Sequence, residues 1–110
     1  MTGGDTLRAR VELLAAASGG LGVAASQDGE GTTWSVAGRP FASVSDDGVE
    51  LRLDPAIARA ATRTPDTNMS ARGPEWVRFA PRELDDHAID RLEAWFAFAR
   101  RRASESSRSS

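Results

Sequence analysis

The sequence predicts an α+β domain, a single antiparallel sheet of four to five strands with helices packed on one face, in the order α-β-β-β-α-β-α. Three observations carry this expectation. Segments such as Val49-Glu50-Leu51-Arg52-Leu53 alternate apolar and polar residues, the period of a strand covered on one side. Two other segments, Thr6–Ser18 and the run beginning at Asp85 or Asp86, repeat apolar residues at helical spacing instead. A length of 110 residues is that of one domain, expected over 1–102, followed by a disordered serine-rich tail over 103–110.

The elements follow in order. Leu7, Val11, Leu14 and Ser18 share a face of the first helix, with Asp5 or Thr6 as its cap and Gly19-Gly20 as its stop. Leu21–Ser26 reads as a short strand, and Gln27–Gly31 as a turn. Thr32–Ala37, Phe41–Ser45 and Val49–Leu53 read as three strands. Gly38-Arg39-Pro40 connects the first two, and Asp46-Asp47-Gly48 supplies a hairpin turn between the second and third. Asp54-Pro55 starts a helix that runs to about Arg63, because aspartate caps a first turn and proline tolerates its first position. Thr64–Gly73 is rich in breakers and is expected to be irregular. Glu75–Ala80 is a further strand with Val77 and Phe79 on one face. In the last helix Ile89, Leu92, Trp95, Phe96 and Ala99 form the apolar stripe, and Arg100–Arg102 complement the dipole of its end.

Composition narrows the chemistry. The 14 cationic residues are all arginine, and cysteine and tyrosine are absent. A Schiff-base lysine, a cysteine nucleophile, a tyrosine acid, a disulfide and a thiolate metal site are therefore all excluded. The net charge of −2 does not suggest a whole-molecule grip on nucleic acid. No apolar run approaches the length of a membrane span, and the N-terminus lacks the regions of a secretion signal. A cytoplasmic protein is the expectation, and the bias toward Ala, Gly, Arg and Asp suggests a bacterial genome.

No catalytic, metal-binding or cofactor motif appears. No serine lies in a nucleophile elbow, and the glycines lack the spacing of a phosphate-binding or dinucleotide-binding loop. His87, the only histidine, stands beside Asp86 and three residues before Asp90. It can be written as a general base, but its place in a first helical turn, off the apolar stripe, favours an exposed bystander. Strand alternation points elsewhere: Arg52, Trp76 and Arg78 all lie opposite the core-facing residues of their strands. If those strands share a sheet, its uncovered face carries two guanidiniums and an indole, residues that anchor binding sites. Arg39, Arg72 and Arg82 extend that patch only if their loops fold toward it. Off the last helix's stripe, Phe98 is a candidate contact for a partner or a second copy.

Several segments resemble the small bacterial MmcQ/YjbR-like proteins. They are Trp34–Ala42 (WSVAGRPFA), Val49–Pro55 (VELRLDP), Pro65-Asp66, Glu75–Phe79 (EWVRF) and the closing amphipathic helix. The resemblance implies a compact α+β fold and carries the family's frequent DNA-binding label. This chain departs from the family in lacking lysine and in having Trp95-Phe96 where a serine-tyrosine pair is usual.

The expected function is a non-catalytic domain, monomeric or homodimeric and without a cofactor. It binds a protein or a small anionic ligand through Arg52, Trp76 and Arg78. The alternatives are nucleic-acid binding through the same arginines and, less favoured, an enzyme using His87 with Asp86 or Asp90.

Overall fold

A computed structural model describes residues 3–17, 23–28, 31–45 and 48–109. The chain is α+β, with three helices and one antiparallel sheet of six strands. The elements are α1 (Gly3–Ala17), β1 (Val23–Asp28), β2 (Gly31–Val36), β3 (Arg39–Ser45), β4 (Gly48–Arg52), α2 (Pro55–Ala61), β5 (Thr67–Met69), β6 (Trp76–Phe79) and α3 (Asp86–Ser109). Strands β1 to β4 form a meander. The chain then crosses through α2, and β6 inserts between β4 and β5 to give the order β1-β2-β3-β4-β6-β5.

One face of this sheet meets the helices. Val44 and Ala42 in β3, Val49 and Leu51 in β4, and Val77 and Phe79 in β6 all lie on it and are fully buried. Leu7 and Val11 of α1, Ala58 and Ala61 of α2, and Leu92 and Phe96 of α3 close over it to make one core. Two aromatic pairs lock α3 to the sheet edge-to-face, as ring quadrupoles prefer. Phe96 meets Phe41 with centroids 5.3 Å apart, and Trp95 meets Phe79 at 5.2 Å. Phe41 reaches this core through a bulge. The β2–β3 register shifts by one between Trp34 and Ser35, so Phe41 is the extra residue beside Ala42.

Local signals explain most boundaries. Asp54 accepts a hydrogen bond from the Ala56 amide at 3.1 Å, and Pro55 begins α2. Asp85 caps α3 by accepting from the Ala88 amide at 2.9 Å. The turn between β2 and β3 is Ala37-Gly38, both with positive φ (51° and 80°), rather than Gly38-Arg39-Pro40. Two central residues of that sign match the twist of a tight hairpin, which glycine satisfies without strain and alanine does not.

Several expectations need correction. The order is α-β-β-β-β-α-β-β-α rather than α-β-β-β-α-β-α: the strand read at Leu21–Ser26 lies at Val23–Asp28 as a full member of the sheet, and β5 forms in the segment read as irregular, which makes six strands. Its Thr67–Met69 pairs with Met69↔Val77 and Thr67↔Phe79, a tertiary pairing that its own turn-forming residues do not announce. The first helix begins at Gly3, so Asp5 and Thr6 fall inside it. The core stripe of α3 uses Ala88 where Ile89 was expected, and α3 continues through Ser109. Ala103, assigned by composition to a disordered tail, is buried against the core. The Gly19-Gly20 stop, Leu21-Gly22, the tip of the 27–31 turn and Asp46-Asp47 lie outside the described residues.

Candidate functional site

The helix-free face of the sheet is polar. Alternation turns Thr33, Ser43, Glu50, Arg52, Trp76, Arg78 and Asn68 away from the core. The register then sets them in rows: Thr33↔Ser43↔Glu50↔Arg78↔Asn68, and Arg52↔Trp76. The three residues singled out by sequence are therefore on one face, on the two adjacent strands β4 and β6.

Two carboxylates organise the arginines. Glu75, just before β6, accepts from Arg52 through Nε (3.2 Å) and Nη2 (3.1 Å) at one oxygen, and from Arg102 Nη2 (2.9 Å) at the other. Glu50, in the middle of β4, accepts from Arg72 Nε at 2.9 Å and from the Ser70 hydroxyl. Arg72 Nη2 also reaches the Ser43 hydroxyl at 3.4 Å, and the Thr33 hydroxyl donates to Ser43 at 3.2 Å. Burial pushes both carboxyls toward the neutral form. Hydrogen bonds oppose it, from Ser70 and Arg72 for Glu50 and from Arg102 and Arg52 for Glu75. The neighbouring guanidinium charges, Arg78 among them at Glu50, act in the same direction as the hydrogen bonds, and together they outweigh burial. Both groups end below the ordinary glutamate value.

Arg72 comes from the loop between β5 and β6 and crosses the face as a strap. Its guanidinium carbon lies 5.1 Å from the centre of the Trp76 ring, a cation–π contact. Trp76 is only 9% exposed as a result, so the indole seats a guanidinium and does not present an open platform. Arg78 lies flat over Gly48. A Cβ built on that glycine would stand 2.6 Å from the Arg78 Cζ and 2.7 Å from one of its terminal nitrogens. Glycine at 48 thus leaves the space in which the Arg78 head group rests.

Arg52, Arg72, Arg78 and Arg102 with Glu50 and Glu75 sum to a charge of +2, in a chain whose formal net charge is −2. Sequence reasoning reached Arg52 and Arg78 through alternation and left Arg72 conditional on its loop. The roles of Ser70, Glu75 and Arg102 escaped it, because they depend on a loop and a helix end meeting the sheet. Arg82 turns elsewhere and pairs with Asp66 at 3.8 Å. His87 is exposed in the first turn of α3. Phe98 is 41% exposed, with the Arg101 guanidinium 5.8 Å from its ring centre, beside a 320 Å³ pocket that Ile57 and Asp54 also line. Among the described residues no cluster of His, Cys, Asp or Glu could hold a metal ion, and no helix is long and apolar enough to cross a membrane.

Comparison with family models, with curated proteins and with solved structures finds no match.

Proposed function

We propose that this protein is a non-catalytic binding domain that takes carboxylates of an acidic protein segment on its helix-free sheet face. The observation that carries the reading is the charge arithmetic of that face: four guanidiniums gathered around two carboxylates on a sheet-borne scaffold. Arginine is suited to the task because its planar fork holds a carboxylate through two donors at once. Each guanidinium already has a glutamate or a ring beside it, which fixes its orientation before a partner arrives and lowers the ordering cost of binding. Arg52, Arg72 and Arg78 make the contacts, and Trp76 supports Arg72 from below. The bias toward Ala, Gly, Arg and Asp fits a bacterial source.

Nucleic-acid binding through the same arginines would add base stacking, and the covered Trp76 ring does not favour it. A glutamate-rich peptide and a single-stranded oligonucleotide, each titrated into the protein at low and moderate salt, separate the two. The proposal expects saturable peptide binding that weakens in Arg52→Ala and Arg78→Ala while their melting temperatures hold. Tighter oligonucleotide binding with a steep salt dependence would overturn it, as would failure of the peptide to bind at all.

A further inference from the structure

The two edges of the sheet are finished differently. β5, at one edge, is three residues long and has α2 packed against it. β1, at the other, is six residues long and, among the described residues, pairs with β2 alone. A free edge offers unpaired backbone donors and acceptors, and proteins guard it with short strands, proline, charged residues, bulges or a covering element. Among the described residues β1 has one such guard, the single charge of Asp28 at its end. Its sequence VAASQD has neither proline nor a cationic residue, its register with β2 runs without a shift, and Ala24 to Gln27 are all exposed.

A second feature adjoins the same edge. A groove of about 360 Å³ opens between α1 and the β1–β2 hairpin, in which Val23, Ala25 and Trp34 are joined by Glu12, Gln27 and Thr32. Beside it on α1, Leu13 is 63% exposed. The β1 edge and this groove of mixed polarity adjoin one another, with Arg8 of α1 donating to the Thr32 hydroxyl at 3.4 Å.

We propose that this end is a self-association surface: a second copy of the chain adds its own β1 antiparallel to β1 across a twofold axis, joining two six-stranded sheets into one. The sequence of the strand fits self-pairing. Antiparallel pairing brings the small Ala24, Ala25 and Ser26 to the axis. It sends the strand's one charged residue, Asp28, to opposite ends of the ladder, so that no like charges face each other. Such a contact is isologous and closes at a dimer. The ladder so formed runs the length of the strand, six residues or about 20 Å.

The test is the mass of the full chain in solution across a concentration series, by light scattering and sedimentation. Wild type is expected to dimerise. Ala25→Lys and Ala25→Glu each place a charge beside its own symmetry mate, and each is expected to raise the dissociation constant at least about tenfold. An equimolar mixture of the two is expected to dimerise again. Ala25 is exposed in the monomer, and a circular dichroism spectrum checks that each variant folds. Ser26→Lys repeats the test from the other face of the strand. Backbone amides of β1 should exchange slowly with solvent in wild type and fast in the single variants. A wild type that stays monomeric throughout overturns the proposal. So does a dimer that all the substitutions leave intact, or a mixture of the two charged variants that stays monomeric.

Discussion

Removing Arg72 should loosen the polar face while sparing the core. The side chain makes one charge-assisted hydrogen bond to Glu50 at 2.9 Å, a marginal one to Ser43 at 3.4 Å, and a cation–π contact to Trp76 at 5.1 Å. Arg72 is 37% exposed, so its ion pair is discounted to the surface range of about 0.2–1 kcal/mol. The cation–π contact contributes about 0.5–1 kcal/mol. Glu50, only 15% exposed, is left with Ser70 as its remaining hydrogen-bond donor, which adds a fraction of the cost of an unpaired buried acceptor. Together these place Arg72→Ala at about 1–2.5 kcal/mol. For a domain of this length that is a fall in melting temperature of about 4–10 °C. Thermal denaturation by circular dichroism reads the loss. Tryptophan fluorescence should shift to the red as solvent reaches Trp76. A double-mutant cycle with Glu50→Gln isolates the pair, because the two substitutions act on the same contact and should not add. A variant within about 0.5 kcal/mol of wild type and with an unchanged emission spectrum would refute this account of the strap.

Three further outcomes follow from particular residues. The folded forms of Glu50 and Glu75 titrate below the reference value of 4.5, so their stabilising effect is present above that pH and is lost as pH falls through their lower folded values. Melting temperature should drop on acidification below about pH 4.5, and less steeply in the double variant Glu50→Gln/Glu75→Gln; equal slopes would contradict the assignment. Gly48→Ala should change stability by less than about 1 kcal/mol, since the displaced atoms belong to the mobile end of Arg78 and alanine suits a strand better than glycine. It should nevertheless weaken acidic-peptide binding by moving that head group, and a large loss of stability with intact binding would count against the packing described. Ala37→Asn should raise stability by about 0.5–1 kcal/mol in chemical denaturation, because asparagine accepts the positive φ of 51° more readily than alanine.

Where a pattern is local, it was legible in the chain. The alternation of Val49 to Leu53 put Glu50 and Arg52 on the outer face, and Asp54-Pro55 marked the start of α2 to the residue. The outer placement of Trp76 and Arg78 came from the same period-two argument. What escaped depends on contacts distant in sequence. β5 is held by its pairing with β6, although Pro65, Asp66 and Asn68 give its neighbourhood the composition of a loop. Trp76 faces away from the core as alternation requires, yet it is covered, because a loop four residues earlier returns Arg72 over the ring. Serine content suggested a tail after Arg102, but Ala103 continues the helical spacing set by Ala88, Leu92, Trp95, Phe96 and Ala99 and is buried with them. The strand read at Leu21–Ser26 lies at Val23–Asp28, and the groove beside it emerges only once α1 is set against the β1–β2 hairpin.

The central claim is that the helix-free face is a binding surface for carboxylates. Nuclear magnetic resonance mapping of a glutamate-rich peptide onto the isotopically labelled protein addresses it most directly. The account predicts saturable shifts in the backbone amides of Ser43, Glu50, Arg52 and Arg78, in the Arg72 Nε–H and in the Trp76 indole N–H. A lysine-rich peptide of equal length should leave those signals in place. Shifts confined to other surfaces, or equal responses to the two peptides, would contradict it.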